Sequence, residues 1–228
     1  MDTDGKNEVL LVNLPFTNFS PAWSPQGDKL AFVNYPERGN SKFQICVVAR
    51  DGRHLRILNK NLDGQIGEIV WSRDGRQIIY SQIDGRIAFF DTETHEVHTI
   101  DVSVENVFNL DLSPHGEAFI FSGIKKSEKI ESRYGVFIID RDGNPVGTIL
   151  MGAVPSSTDG LAWSPDGSKI LVGRDGGLYT LDLNTEAIEL FIDSAGSPDW
   201  QDPSLPRSVS PQNKLNTTWG EMKKGEKR

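Results

Sequence analysis

Cysteine occurs once in the 228 residues, at Cys46, so no disulfide can form within the chain. Cys46 lies inside "FQICVV", which reads as a buried strand, and a thiol there is a core residue rather than a nucleophile. Long apolar runs are also absent. None approaches the about 18 residues that a membrane-crossing helix needs. The opening "MDTDGKNEVLLVN" starts with acids and lacks a basic stretch followed by an apolar one, so it does not read as a signal peptide. Basic charge is in deficit: 24 Lys and Arg stand against 32 Asp and Glu, a net charge of −8. No basic cluster is interleaved with aromatics, which excludes a nucleic-acid partner and leaves solubility as the reading of the acidity. Helical periodicity is scarce throughout, which excludes a bundle.

What the sequence does have is repetition. "PAWSPQGDKLAFV" at 21–33, "IVWSRDGRQIIYS" at 69–81, "LDLSPHGEAFIFS" at 110–122 and "LAWSPDGSKILV" at 161–172 are variants of one pattern, and "SPDW" at 197–200 begins a fifth. The key positions Trp23, Trp71, Leu112, Trp163 and Trp200 are 48, 41, 51 and 37 residues apart. Self-similarity at that period marks a repeat architecture, such as the blades of a propeller. A catalytic motif seldom recurs four times in a chain, so the Trp-Ser-Pro-Asp-Gly stretch is a structural corner.

Each unit reads alike. A short strand ends at the tryptophan. A tight turn follows, with proline presetting φ and glycine accepting the left-handed region at Gly27, Gly75, Gly116 and Gly167. A three-residue hairpin loop fits this pattern. The second strands, "KLAFVN", "QIIYS", "AFIFS" and "KILVG", are nearly continuous apolar runs, as expected where both faces of a sheet are covered. Third strands are "FQICVVA", "RIAFFD", "GVFIID" and "GLYTLD"; polar turns then lead to fourth strands "HLRIL", "EVHTI", "PVGTI" and "AIELF". Four strands per unit predict an all-β propeller of four-stranded blades, four blades plus a partial one.

These units resemble the TolB-like, WD-like propeller repeat, whose core reads Pro-x-Trp-Ser-Pro-Asp-Gly, an apolar strand, then a further strand and an Asp-Gly turn. "PAWSPQGDKLAF", "VWSRDGRQIIY" and "LAWSPDGSKILV" carry the first part; "FQICVVARDGRHLRIL" and "GVFIIDRDGNPVGTI" carry the second. The likeness covers about residues 1–201 and departs from the pattern at Leu112, at Arg73 in place of proline, and at the "DTETHEV" turn. It implies a propeller that binds other proteins and works in the bacterial envelope, periplasmic or extracellular; it does not imply chemistry. The α/β domain that precedes the propeller in TolB itself has no counterpart here.

The expected organisation is a propeller over 1–201, with blades at about 18–59, 66–101, 107–150 and 158–192, and a tail over 202–228. Residues 1–12 match the polar turn and fourth strand of a blade whose first three strands are absent, an orphan outer strand. Met1 then reads as an internal residue of a longer propeller. Within the tail, "VSPQNKLNTTW" at 209–219 echoes the hairpin at 23–33, a degraded half-blade in which Asn213 takes the glycine position. Closure is expected from strand 6–12 joining hairpin 208–219, from further blades, or from a partner, because open blade edges invite self-association.

Catalytic and metal constellations are not legible. His54 and His115 belong to turns of different units, while His95 and His98, three apart at the start of a strand, point to opposite faces. A zinc site needs converging ligands. The Asp-Gly pairs lack the spacing of a calcium loop. There is no Gly-x-Ser-x-Gly elbow, and the serines of "PSSTDG" have no histidine partner. No cofactor, metal or catalytic residue is therefore assigned. Strand order places segments 35–42, 59–68, 102–109, 123–134 and 151–160 on one rim. Asn18, Glu68, Asn109 and Asp159 precede the innermost strands and are candidates to ring the channel entrance, where they suit a cation or peptide amine. The loop "GIKKSEKIESRYG", with Lys125, Lys126, Lys129 and Arg133, is a candidate recognition loop. The expected function is a non-catalytic scaffold for a protein or peptide partner. The alternative is the propeller remnant of a prolyl-oligopeptidase-type peptidase or a polysaccharide lyase.

Overall fold

The computed structural model describes residues 9–15, 17–36, 42–62, 66–102, 104–125, 133–150, 160–193, 199–200 and 216–217. Sixteen of its strands form four antiparallel sheets of four, each in simple sequence order, and the described residues contain no helix. Accordingly, none is long and apolar enough to cross a membrane among them. The chain divides into two compact units, 1–155 and 156–228.

The first unit holds three blades. Blade one is β1 (Thr17–Trp23), β2 (Lys29–Tyr35), β3 (Phe43–Ala49) and β4 (Arg56–Leu62). Blade two is β5 (Ile66–Trp71), β6 (Gln77–Gln82), β7 (Arg86–Asp91) and β8 (Val97–Asp101). Blade three is β9 (Val104–Leu112), β10 (Ala118–Lys125), β11 (Arg133–Asp140) and β12 (Pro145–Leu150). The continuous apolar runs have the expected cause. In blade two, Ile78, Tyr80, Ala88 and Phe90 face blade one and share a core with Ala31, Val33, Ile45 and Val47. The alternate residues Ile79, Ile87 and Phe89 face blade three and join Val107, Leu110, Phe119 and Phe121. Period-two alternation thus loads both faces of one sheet. Each fully buried Ile or Phe contributes about 1.5–3 kcal/mol of transfer free energy.

Every strand pair of the corner is closed the same way. Ser24 N donates to Lys29 O at 2.9 Å and Gly27 N to Ser24 O at 2.8 Å. The same pairs recur at Ser72, Ser113 and Ser164. Four residues, 25–28, lie between Ser24 and Lys29, so the loop is one residue longer than the expected three. The reason is the serine. Its carbonyl is taken by the glycine N–H, and the N–H of Lys29, Gln77, Ala118 and Lys169 turns instead to the serine Oγ, at 2.8–3.0 Å. The glycines sit at φ of 68° (Gly27), 72° (Gly75), 79° (Gly116) and 74° (Gly167).

Residues 9–12 differ from the expected outer strand, because they belong to no strand ladder. Their position is nevertheless that of one. Val12 and Leu14 pack with Phe32, Cys46 and Val48 on the face of blade one turned away from blade two. A Cβ on Gly52 would meet Leu11 O at 2.9 Å, just as one on Gly143 would meet Asp101 O, at the end of β8, at 3.5 Å. Residues 1–8 lie outside the described set.

The second unit holds β13 (Gly160–Trp163), β14 (Lys169–Arg174), β15 (Gly177–Asp182) and β16 (Ile188–Ile192) in one sheet. It also holds β17 (Asp199–Trp200) and β18 (Asn216–Thr217), which pair in parallel. Of the expected hairpin at 209–219 only residues 216–217 are described, and they run parallel to Asp199–Trp200 of the fifth repeat. The rest of that hairpin, Asn213 and Trp219 included, lies outside the described residues.

Candidate functional site

The rim opposite the serine corners is built from the starts of the first and third strands and the ends of the second. Blade one brings three aromatics there. Phe19 meets Phe43 edge-on at 6.0 Å, and Tyr35 lies over Phe43 at 5.3 Å. All three are half-buried. Opposite them in blade two is Gly67, where a Cβ would meet Ser81 Oγ at 2.5 Å and Val107 O at 3.3 Å. The absence of a side chain lets the innermost strands close up: Ser20 Oγ donates to Gly67 O at 3.0 Å.

The innermost strands are not regular. Ser20, Asn106 and Asn109 have φ of 49°, 57° and 53°, and the ladders of β1, β5 and β9 each slip register near them. Bulges of this kind re-aim side chains. Each irregularity is fastened by a buried polar residue at the end of the second strand. Asn34 Nδ2 donates to Asn18 Oδ1 at 2.9 Å and to Pro15 O at 3.3 Å. Ser81 Oγ accepts from Glu68 N at 3.0 Å. Ser122 Oγ donates to Phe108 O at 3.3 Å and accepts from Asn109 Nδ2 at 2.9 Å. Asn34, Ser81 and Ser122 are functional to the fold, and sequence reasoning missed them. The available signal was a polar residue closing an apolar strand at the same repeat position.

The candidate ring is therefore partly engaged within its own blades. Asn18 is exposed, while Glu68 and Asn109 are half-buried. They stand five, three and three residues before Trp23, Trp71 and Leu112, so they do not occupy one repeat position. Asp159 lies outside the described residues. In the candidate recognition loop, Lys125 and Arg133 are the last pair of the β10–β11 ladder, which shortens the loop to 126–132. Lys126 and Lys129 lie outside the described residues. Two rim segments are likewise more regular than expected: β4 runs on to Leu62, and β9 begins at Val104.

His98 stacks on Phe89 at 4.4 Å, and His95 stacks on Phe90 at 5.7 Å. The two rings lie on opposite faces of the blade, but His95 is in the turn, at φ 62°, rather than on the strand. Among the described residues no three of His, Cys, Asp and Glu gather into a metal-binding group. The carboxylates of Asp91, Asp140 and Asp182, ending the third strands, are spent on turns. Each is held below the usual carboxylate range, Asp91 by the N–H groups of Thr94 and Glu93, Asp140 by Asn144, and Asp182 by the N–H groups of Thr185 and Asn184.

No family model matches the sequence. The Tol-Pal system protein TolB of Xanthomonas campestris pv. campestris (strain B100) is 38% identical over 63 residues, which is 28% of this chain and 14% of that protein. TolB of Xanthomonas oryzae pv. oryzae (strain PXO99A) matches to the same extent. The crystal structure of TolB from Acinetobacter baumannii superposes with a TM-score of 0.65 over 85% of this chain, at 20% identity. The chain is built of TolB-like propeller repeats. It spans 48% of the solved TolB chain, and at that identity the likeness speaks for the fold alone. Within the TolB-like repeat, the Trp-Ser-Pro-Asp-Gly stretch is the corner just described, and the rim with the loops is where the blades differ most.

Proposed function

We propose that this TolB-like propeller is a non-catalytic binding scaffold that takes a protein or peptide partner on the loop-bearing rim. The observation that carries this reading is the half-buried aromatic trio Phe19, Tyr35 and Phe43 at that rim. Aromatics that keep part of their surface in water beside variable loops are the usual anchors of a protein interface. Asn18 and Glu68 begin the neighbouring innermost strands and add amide and carboxylate groups suited to a peptide amine. The relatives are proteins of the Tol-Pal system. We therefore assign the partner to that class, in the bacterial envelope, with the propeller over 1–201 as the binding domain.

The test is calorimetric titration of the purified chain with the Tol and Pal proteins of the source organism. One of them should bind, and the Tyr35→Ala, Phe43→Ala double variant should weaken binding at least tenfold while keeping its thermal transition. Titration heats indistinguishable from dilution for every Tol and Pal protein would sink the reading. Turnover of a proline-containing peptide or a pectic polysaccharide by the pure chain, lost on a single substitution, would favour the peptidase or lyase remnant instead.

A further inference from the structure

Aspartate followed by glycine is the pair in a polypeptide most prone to close on itself. The glycine nitrogen attacks the aspartate side-chain carboxyl and forms a five-membered succinimide ring. The pair occurs nine times in this chain, and six of the pairs lie wholly among the described residues. In five of these the nucleophile is tied down. Gly52, Gly75, Gly85, Gly143 and Gly167 each donate their N–H to the carbonyl three residues back, at 2.8–3.2 Å. Asp175-Gly176 differs. It is the two-residue loop between β14 and β15, whose flanking residues Arg174 and Gly177 pair. Both loop residues are exposed, and among the described residues the Gly176 N–H finds no backbone acceptor. A Cβ on Gly176 would meet nothing within 4 Å, so the space for reaction is open. The partner of the carboxylate is its own neighbour: Arg174 Nε donates to Asp175 Oδ2 at 2.8 Å, an exposed pair that restrains it little.

We propose that Asp175-Gly176 is a site of spontaneous modification, where aspartate converts through a succinimide to isoaspartate. The turn supplies the geometry. φ is 53° at Asp175 and 75° at Gly176, both left-handed, which makes the loop a type I′ turn. Ring closure needs the Gly176 nitrogen over the Asp175 Cγ, with ψ of Asp175 at about −120°, the value at the first central residue of a type II′ turn. That turn keeps φ positive at the same residue, and two-residue hairpins use both types. They differ by a flip of the single peptide plane between Asp175 and Gly176. The pair therefore reaches the reactive geometry while β14 and β15 stay in place. In the other five pairs the same flip breaks the hydrogen bond that closes the turn. In the reaction the Gly176 nitrogen bonds to Asp175 Cγ, and a carboxyl oxygen leaves as water with the amide proton and the carboxyl proton. Water then adds to either ring carbonyl. Opening at Cγ returns aspartate, and opening at the main-chain carbonyl leaves isoaspartate, with one more methylene in the backbone. Loop length sets hairpin register, so the product no longer fits the pairing of Arg174 with Gly177. Modification thus loosens the hairpin that carries the buried Leu171, Val172 and Leu178.

The test is to age the full chain in neutral buffer at physiological temperature, with and without urea, and to follow isoaspartate site by site. Mass spectrometry with electron-transfer fragmentation separates the two isomers, and a protease that cuts before aspartate but not before isoaspartate gives an independent reading. In the folded chain Asp175 should convert several times faster than Asp51, Asp74, Asp84, Asp142 and Asp166. In urea, where every glycine N–H is free, that lead should shrink. Asp175→Glu, whose ring would have to be six-membered, should give no isomer at that position and should keep its melting transition on ageing while that of the parent falls. A folded chain in which Asp175 converts no faster than the five tied pairs overturns the proposal. So does a lead that persists undiminished in urea, because the preference would then come from the local sequence and not from the turn.

Discussion

Arg73 of blade two donates from its guanidinium to the carbonyl oxygens of Leu112 and Ser113 in blade three, the second at 2.9 Å. These are the partners of two departures from the repeat. Arg73 stands where the pattern has proline, and Leu112 stands where it has tryptophan. At the joint between blades one and two the tryptophan supplies the clasp: Trp71 Nε1 donates to Ala22 O at 3.1 Å. The Leu112 side chain has no N–H to offer blade two, and Arg73 makes the clasp from the other side. The two departures are one exchange.

A consensus substitution should therefore fail here. Arg73→Pro restores the repeat residue and restricts the unfolded chain, which by itself returns about 0.4–1 kcal/mol. It also removes charge-assisted bonds worth about 1.5–3 kcal/mol each to a site with no replacement. Urea denaturation should place Arg73→Pro below the parent. A variant as stable as the parent would mean that the guanidinium bonds contribute nothing.

Glycines at the corner and on the innermost strand should respond differently to added side chains. Gly167 is at φ 74°. Valine there is strained, and Gly167→Val should lose more than about 1 kcal/mol. Gly27, also left-handed, has open space around its would-be Cβ, so Gly27→Ala bears only the backbone cost. Gly67 meets both a buried hydroxyl and a backbone carbonyl at that point. Gly67→Ala should lower the melting temperature more than Gly27→Ala, because Ser81 cannot move without freeing the N–H of Glu68.

The fold was legible because the sequence states it four times. The spacing of Trp23, Trp71, Leu112 and Trp163 set the blades, and the apolar runs set their second and third strands. What could not be read is relational. The Oγ of Ser164 serves Lys169 N and Asp166 together, a link visible only once the turn is closed. Nothing in the sequence marks Gly67 as the residue that lets neighbouring strands touch. The ring candidates Asn18, Glu68 and Asn109 were chosen by nearness to the innermost strands. Bulges shift those strands by different amounts, so sequence distance from the corner does not give depth along the strand.

Cys46 should be silent to thiol reagents while the chain is folded. It is fully buried, and burial pushes its thiol up to about 11. At neutral pH it is therefore protonated as well as covered, and the thiolate is the reactive form. A chromogenic disulfide reagent should report no thiol in native buffer and one after unfolding in guanidinium. Rapid labelling without denaturant would show that the face of blade one beneath Val12 and Leu14 opens readily.

The serine corner should make the protein sensitive to acid, through its aspartates. Ser72 Oγ donates to Asp74 Oδ1 at 2.6 Å and Ser164 Oγ to Asp166 Oδ1 at 2.7 Å, and the N–H groups of Arg76 and Ser168 add further bonds. These bonds favour the ionised form, so both carboxyls titrate below the usual range, the serine hydroxyl being the largest cause in each. A group whose folded pKa is depressed contributes stability above its unfolded value, about 3.9 for aspartate, and loses it as pH falls through the folded value. Asp91, Asp140 and Asp182 are depressed in the same sense and act in the same window. Stability should thus be flat near neutrality and fall below about pH 4. Asp166→Asn should lower stability at pH 7 and narrow its gap to the parent as the pH drops through that window. Ser164→Ala, which strips the acceptor from the N–H of Lys169 as well, should cost about 1–3 kcal/mol already at pH 7. Melting curves of the three proteins between pH 2.5 and 7, values set by that window, would decide it. A constant difference between Asp166→Asn and the parent at every pH would show that the carboxylate's charge has no part in the corner.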